Sequence, residues 1–518
     1  MNAHLPVLAI ALPMLTGALL LLAERRGIVV QRVLAWSGLA ALLWVSMSLL
    51  HLADSDVITV YRIGDWPAHL GISLVLDRLA AWMVLVATLL AIACLLHASS
   101  GWDRRAPHFH ALFQFQLMGL NGAFLTGDLF NLFVFYEVLL AASYGLLLGG
   151  ARGGRVRRGF HYAVFNIAAS TLFLIGLGLL YGLVGALNMA EVAARAAELG
   201  STDRILLQAI AGLLLVVFCA KGALLPLYLW LPATYAGAQA SVAALFVIMT
   251  KVGLYSVLRV FTLILGVDVL LAGPAWQWLL WAGIATLLLA ALGTMAAVRL
   301  RVLAAYLVLV SAGTLFITFA LAQADSIGAG LYYLAHSVFA GAAVFLIAEA
   351  VRERRGTDRT NLVLPMLGRA VPGSLYLITA IAMIGLPPLS GFIGKLGILE
   401  AVPEARIGWV WGAILAASFF VLVAMTRSGS RIFWRVPPPD FTPPTLPRAL
   451  APPRQGRRQE IAAIVLLLAY VVTLSLAAGP ALRYVMASGA QVLRPSDYIQ
   501  ATRFTSSAVI SRHLEVHT

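Results

Sequence analysis

Apolar stretches of about 20 residues, separated by short polar segments, recur along almost the whole chain. A helix of that length crosses the hydrocarbon core of a bilayer. The pattern predicts an all-α integral membrane protein with about 14 transmembrane helices, here termed spans one to fourteen. The spans are centred near residues 14, 41, 86, 118, 139, 171, 217, 250, 284, 310, 338, 385, 418 and 468.

Composition supports this class and suggests an orientation. Hydrophobic residues make up 61% of the 518 residues, charged residues 11%, and the mean hydropathy is +0.92. The net charge of +14 is no sign of nucleic-acid binding, because the arginines cluster in loops after odd-numbered spans. Loops after even-numbered spans are poorer in arginine. By the positive-inside rule, odd-numbered spans end in the cytoplasm and both termini lie outside.

Three segments are not expected to cross the membrane. Residues 188–200 predict a short external surface helix, residues 437–458 a Pro-rich cytoplasmic linker, and residues 480–518 a polar tail without a further span. No segment remains that could form a soluble domain for a nucleotide, flavin or iron–sulfur cluster, so we expect no cofactor. Cys94 and Cys219 both lie in apolar stretches and indicate neither a disulfide framework nor a metal site.

The only three lysines of the chain, Lys221, Lys251 and Lys395, all lie in apolar stretches, whereas the other 33 cationic residues are arginines. Arginine stays charged in proteins, but a buried lysine can lose its proton. An arginine-rich composition would explain the lack of surface lysines, but not the positions of those that remain. Glu137 and His336 also lie within predicted spans. Because ionisable groups at bilayer depth are costly, all five are candidates for proton transfer.

Glu137 in span five and Lys221 in span seven form the first expected pair. A nearby carboxylate favours the charged amine, and its withdrawal lets burial remove the proton. The pair would then act as a two-state switch. The alternative is a permanent ion pair that holds two helices together.

Prolines predict that spans seven and twelve are interrupted. Pro226 follows Lys221 by five residues, and Pro387 and Pro388 precede Lys395. Proline removes a backbone donor and clashes with the preceding turn. Broken helices in corresponding positions of two halves point to an ion site in a transporter built from repeats. An ordinary proline kink is the alternative.

The segments KGALLPLYLWLPATYAGAQASVAALFVIMTKVGLYSVLR and IGLPPLSGFIGKLGIL resemble the antiporter-like membrane subunits. This family is shared by Mrp/Pha-type multisubunit cation/proton antiporters, the membrane arm of respiratory complex I and related hydrogenases. The resemblance covers roughly residues 70–430 and is strongest to the D-type subunit of the Mrp/Pha antiporters.

The resemblance implies fourteen helices in which spans four to eight and nine to thirteen are inverted five-helix repeats. It implies a proton path through residues that match Glu137, Lys221, Lys251, His336 and Lys395. The corresponding divisions are residues 1–100 (spans one to three), 101–265 (first repeat), 266–432 (second repeat), 433–458 (linker) and 459–518 (span fourteen and tail).

Three positions leave alternatives open. Where the family usually has a Ser-rich stretch ending in His or Gln, this chain reads LVLVS, so a polar relay there is reduced to Ser311. Asp128, before span five, could mark a proton entrance or cap the helix. His336 could be a neutral core histidine instead of a relay group.

The resemblance implies a proton-translocating subunit of a Na⁺/H⁺ or K⁺/H⁺ antiporter in the bacterial inner membrane, and no enzyme. Its partners would be the A, C and small hydrophobic subunits, protons, Na⁺ or K⁺, and the lipid bilayer. A proton-pumping subunit of a complex I-type oxidoreductase or membrane hydrogenase is the first alternative. A self-sufficient single-chain transporter is the second.

Overall fold

The computed structural model describes residues 4–66, 71–150, 153–265, 274–361, 366, 368–435 and 457–502, and these form a bundle of long helices. The first part contains α1 (Leu5–Leu22), α2 (Ile28–Ala53), β1 (Thr59–Arg62), β2 (Ser73–Leu76), α3 (Arg78–Ala98), α4 (Phe109–Leu125), α5 (Leu129–Leu148) and α6 (Gly154–Val184). It is followed by α7 (Met189–Glu198), α8 (Ser201–Lys221), α9 (Trp230–Gly237), α10 (Ala240–Phe246) and α11 (Met249–Ile264). The last part contains α12 (Pro274–Ala296), α13 (Leu300–Ala320), α14 (Ala324–Arg355), α15 (Ala370–Ile384), α16 (Ser390–Glu400), α17 (Ile407–Gly429), α18 (Arg457–Leu476) and α19 (Ala478–Val492).

The all-α membrane fold is confirmed. Within the described residues, 12 helical segments are long and apolar enough to cross a bilayer. They coincide with all predicted spans except four and twelve. Span four is α4, which has 17 residues, and span twelve is divided into α15 and α16. The count of fourteen crossings, the inverted repeats and the boundary at residues 265 and 266 remain predictions.

Three spans are interrupted inside the bundle. Span seven is divided into α8 and α9, and span twelve into α15 and α16, where the prolines predict the breaks. Span eight is also divided, into α10 and α11, by a turn at Val247 and Ile248. That third break was not predicted, because the sequence contains no proline or glycine at the turn.

Burial separates central from peripheral helices. The apolar stretches of α14 and of α10 with α11 are entirely enclosed by other helices, and α3 and α13 are nearly so. In contrast, α1, α2, α6 and α18 each expose one side of large apolar residues. A helix that is apolar all round suits either position, because lipid and protein interiors are similarly apolar. The polar candidates of spans eight and eleven therefore lie at the centre.

The segments outside the spans differ in part from expectation. The predicted surface helix is α7, capped by the Asn188 side chain, which accepts hydrogen bonds from the backbone of Ala190 and Glu191. An antiparallel hairpin, β1 with β2, was not predicted, and its register pairs Thr59 with Leu76. Most of the predicted linker lies outside the described residues. Of residues 437–458, only the last two are described, at the start of α18.

The C-terminal segment has no further candidate span among its described residues, but it contains helices that the sequence did not predict. Residues 478–492 form α19 and residues 495–502 are also helical, and α19 packs against α14 and α3. Gln491 accepts a hydrogen bond from the backbone of Arg78 at 3.1 Å, and the Tyr484 hydroxyl donates to the Arg78 carbonyl at 3.2 Å. One apolar face of α19, with Val485 and Val492 buried, explains this docking.

Candidate functional site

Lys221 is the last residue of α8 and is 5% exposed. Its ammonium donates to Asn166 Oδ1 at 3.3 Å and to Ser170 Oγ at 3.2 Å, both on α6. It also lies 5.6 Å from the ring centre of Tyr136 on α5. Lys221 is therefore buried, but its polar partners are neutral groups.

Glu137 does not form the ion pair with Lys221 that the sequence predicts. Among the described residues, no cation lies within 4.0 Å of its carboxylate, and buried Oε1 accepts no hydrogen bond. Instead, α6 presents Asn166 and Ser170 to the lysine. The permanent ion pair between Glu137 and Lys221 considered as the alternative is thus also absent.

Lys251 lies in the first turn of α11 and is fully buried. Its ammonium donates to Ser311 Oγ on α13 at 2.7 Å, and that hydroxyl donates to the Val308 carbonyl at 2.7 Å. Gly253 allows α11 to approach the break of span seven, since a Cβ there would collide with the backbone of Gly222. The structure therefore brings Lys251 to Ser311, and it places span eight against the turn after Lys221.

His336 lies in the middle of α14 and is 1% exposed. Its Nδ1 is 2.9 Å from Ser390 Oγ, the first residue of α16, and the Ser390 hydroxyl donates to the Val471 carbonyl at 3.1 Å. Gly391 follows, and a Cβ at this position would lie 2.7 Å from His336 Nε2. The histidine thus faces the broken span twelve directly.

Lys395 extends from α16 back towards the end of α15. Its ammonium donates to the Ile384 carbonyl at 2.8 Å and to Ser418 Oγ on α17 at 2.9 Å. Gly385 ends α15 at a φ of 82°, and a Cβ there would lie 2.8 Å from Lys395 Cδ. The break therefore exposes a helix-terminal carbonyl to which the lysine can bind.

The four basic candidates share one feature: each bonds to a serine hydroxyl on another element. The pairs are Lys221–Ser170, Lys251–Ser311, His336–Ser390 and Lys395–Ser418. A hydroxyl accepts from a protonated amine and can donate to a neutral one. Sequence reasoning identified only Ser311 among these serines. In the sequence, the other three serines are marked only as small polar residues inside apolar spans. Many other serines of the chain share that feature, so it does not distinguish these three.

The breaks at the prolines leave helix ends whose backbone carbonyls accept hydrogen bonds from within the fold. Pro226 follows a turn in which the Leu224 amide donates to the Cys219 carbonyl at 2.9 Å, and Trp230 Nε1 donates to the Ala220 carbonyl at 3.2 Å. The Leu225–Pro226 peptide is cis, as is the peptide between Pro387 and Pro388 in span twelve. Both breaks are complete interruptions, beyond an ordinary kink, because span seven is divided into α8 and α9 and span twelve into α15 and α16.

Asp128 is the N-cap of α5. Its carboxylate accepts from the Asn131 amide at 2.8 Å, which accounts for the residue structurally. Burial raises the pKa of the Asp128 carboxyl above its usual range. A role as a proton entrance remains a prediction.

Other buried charges are tightly paired. Arg259 of α11 donates to both carboxylate oxygens of Asp77 at 2.5 and 2.7 Å, and Glu349 pairs with Arg301 and, at 2.7 Å, with Arg352. Such pairs hold their charges in place. Within the described parts of the chain, no cluster of three His, Cys, Asp or Glu side chains could hold a metal ion.

Comparison with known proteins adds a family to this geometry. Residues 126–421 match the family described as "NADH:quinone oxidoreductase/Mrp antiporter, TM". The chain is 37% identical to a probable K⁺/H⁺ antiporter D-type subunit of Rhizobium meliloti, over 95% of this chain and 96% of the relative. It is 34% identical to the Na⁺/H⁺ antiporter D-type subunit of Alkalihalophilus pseudofirmus, over 96% and 99%.

The fold is also similar to a solved structure. A chain of the Mrp complex from Dietzia sp. DQ12-45-1b superposes with a TM-score of 0.86 at 24% identity, covering 97% of this chain and 99% of that one. At this level of identity the similarity concerns the fold alone.

Proposed function

Since the chain belongs to the family of membrane subunits shared by NADH:quinone oxidoreductases and Mrp antiporters, we propose that it is the proton-translocating subunit of a multisubunit Na⁺/H⁺ or K⁺/H⁺ antiporter. It would lie in the bacterial inner membrane, cross it fourteen times and have both termini outside. Its partners would be the A, C and small hydrophobic subunits of the complex.

The observation that carries the proposal is the set of four buried basic groups, each bonded to a serine hydroxyl. A carboxylate at hydrogen-bonding distance would hold a lysine in its charged form. A hydroxyl is compatible with both protonation states, because it can donate as well as accept. Such partners suit groups that must gain and lose a proton in each transport cycle.

The proposed path starts at Glu137 and Lys221, passes Lys251 and His336, and leaves at Lys395. Ser311 belongs to this path, because its hydroxyl joins Lys251 of the predicted first repeat to α13 of the second. When one group takes up a proton, its charge changes. This change in charge alters the proton affinity of the next group in the path.

The helix breaks give these steps different electrostatic surroundings. Lys221 lies at the C-terminus of α8, and Lys395 binds the C-terminal carbonyl of α15. The negative end of a helix dipole favours a cation at both places. Lys251 lies at the N-terminus of α11, where the dipole opposes a cation. A proton would therefore rest at Lys221 or Lys395 and only cross Lys251.

The test is ion exchange in vesicles made from cells that lack their own antiporters. We expect Lys221→Ala and Glu137→Ala each to abolish cation-driven proton flux while the complex still assembles. Glu198→Ala removes an exposed carboxylate from α7 and should leave exchange unchanged. Retained exchange in either of the first two variants would refute the proposed path.

A redox pump remains the alternative, because the same family includes subunits of NADH:quinone oxidoreductases. Purification of the intact complex in mild detergent distinguishes the two. Small hydrophobic partners without redox proteins support the antiporter, and flavin- or iron–sulfur-bearing partners support the pump. Recovery of the chain alone, with exchange activity, would indicate a single-chain transporter.

A further inference from the structure

A groove of about 740 Å³ lies between α2, α3, α14, α18 and α19. Its walls are formed by large apolar side chains, among them Trp82, Leu85, Phe339 and Tyr470. The volume is in the range of sites that hold a small molecule. None of the residues in the proposed proton path lines it.

The groove is as deep as one leaflet. Its mouth lies where α2 ends and α3 begins, at Asp54 and Arg78. Its inner end is at Leu89, eleven residues along α3, or about 16 Å of helix. Half of a hydrocarbon core of about 30 Å is of similar depth. The groove therefore fits an acyl chain, whereas a transmembrane helix of a partner would need the full thickness.

The mouth of the groove carries two arginines in different settings. Arg78 is held by Asp56 at 2.5 Å and by Asp54 at 3.5 Å. Arg483 of α19 also lines the mouth and is exposed, and it forms no ion pair with any residue that the structure describes. An unpaired arginine at the mouth of an apolar groove can bind the phosphate of a phospholipid while the groove holds its acyl chain.

We propose that this groove binds one anionic phospholipid, with its phosphate on Arg483 and one acyl chain along α3 and α18. The C-terminal segment contributes the headgroup contact, and Tyr484 helps to position it. The Tyr484 hydroxyl donates to the Arg78 carbonyl, and its ring centre lies 5.9 Å from that of Trp82 in the wall. The bound lipid would fill the gap that separates α2 from α14 and α18.

The test uses the full chain in phosphatidylcholine vesicles with a small fraction of phosphatidylglycerol that carries a photoreactive diazirine midway along one acyl chain. We expect labelled peptides from residues 82–89 and 470–474. Arg483→Gln should reduce this labelling about five-fold, the effect of one cation near an anionic surface. Arg483→Lys should retain it, and Ala481→Phe should block the groove and abolish it.

The matched control is Arg204→Gln, which removes an exposed arginine from the start of α8 and should leave labelling unchanged. Labelling that is equal with a neutral phosphatidylcholine probe and insensitive to Arg483→Gln would mean ordinary surrounding lipid and would overturn the proposal. Protection of Arg483 by inorganic phosphate, without labelling of residues 82–89 and 470–474 by the lipid probe, would show an anion site without an acyl chain and would overturn it too. Crosslinking of the same residues to another subunit in native membranes would instead assign the groove to a protein partner.

Discussion

A buried lysine behaves differently beside a hydroxyl than beside a carboxylate. When a lysine is bonded to a carboxylate, loss of its proton leaves a buried anion without compensation. When it is bonded to serine, as Lys251 is to Ser311, loss of the proton leaves two neutral groups that can still form a hydrogen bond. The serine partners therefore lower the cost of the neutral state without fixing either state.

Ser311→Ala tests the role of a serine partner at the residue that joins the two predicted repeats. The substitution removes a hydrogen bond to a charged group, a contribution of about 1.5–3 kcal/mol. We expect cation-driven proton flux to fall at least about ten-fold, with little change in assembly. Flux is measured by the quenching of a pH-sensitive dye in vesicles.

The control for this experiment is Ser337→Ala. Ser337 is also buried and donates to the carbonyl three residues earlier, at 2.9 Å, as Ser311 does at 2.7 Å. It differs in having no lysine at its hydroxyl among the described residues. Equal losses in the two variants would show that the effect of Ser311→Ala is structural.

At the scale of elements, the breaks in spans seven, eight and twelve create the site. An unbroken helix satisfies its own carbonyls, whereas the end of α15 leaves the Ile384 carbonyl free to accept from Lys395. The glycines beside the breaks then allow a polar side chain to approach the backbone closely. Gly391 does so for His336, and Gly385 for Lys395.

Gly391→Ala tests whether this close approach matters. The added Cβ would meet His336 Nε2 at 2.7 Å and would also collide with the Ala382 carbonyl. We expect a loss of about 1–3 kcal/mol in the free energy of unfolding and a larger fractional loss of flux. Gly397→Ala, in the same helix, meets only the Ala329 Cβ at 3.4 Å and should be nearly neutral. Normal flux in Gly391→Ala would contradict the role assigned to His336.

A second element-scale prediction concerns Asp103, between α3 and α4. Arg32 of α2 donates to both of its oxygens at 2.7 and 2.8 Å, and His110 of α4 lies at 3.1 Å. Burial alone would raise the pKa of the Asp103 carboxyl, but these partners outweigh it and lower the pKa to about 2.

Because the folded-state pKa lies below the ordinary value of 3.8, the ionised Asp103 stabilises the fold fully above about pH 5. The contribution is about 2 kcal/mol at neutral pH and falls to roughly half near pH 3, as the carboxyl takes up a proton. Asp103→Asn should therefore lower the melting temperature more at pH 7 than at pH 3. Asp497→Asn, in an exposed pair with Arg494, should show no such trend. An equal decrease in melting temperature for Asp103→Asn at pH 7 and at pH 3 would disprove the contribution of the ionised carboxylate.

At the scale of the whole molecule, the arginine distribution predicts which loops face the cytoplasm. The two native cysteines, Cys94 and Cys219, are buried, so the wild-type chain should react little with a membrane-impermeant maleimide. Ser55→Cys, in an exposed loop after span two, should react in intact cells. Arg157→Cys, at the start of α6, should react only after the cells are opened. The reverse labelling pattern would show that the chain has the opposite orientation in the membrane.

The sequence by itself determined the membrane class, the positions of the spans, the breaks at Pro226 and Pro387, and the burial of the three lysines. Each depends on a local property: the length of an apolar run, the missing donor of a proline, or the cost of a charge at bilayer depth. Such properties are visible in a window of about 20 residues.

Only the tertiary structure decided which groups meet. The partners of Lys221 on α6, the missing contact between Glu137 and Lys221, the break in span eight and the docking of α19 all depend on how the helices are rotated and packed. A helix that is apolar on every side carries no pattern that specifies its rotation, because lipid and protein neighbours suit it equally well. The spans could therefore be located from the sequence, while the serine partners of the lysines could not.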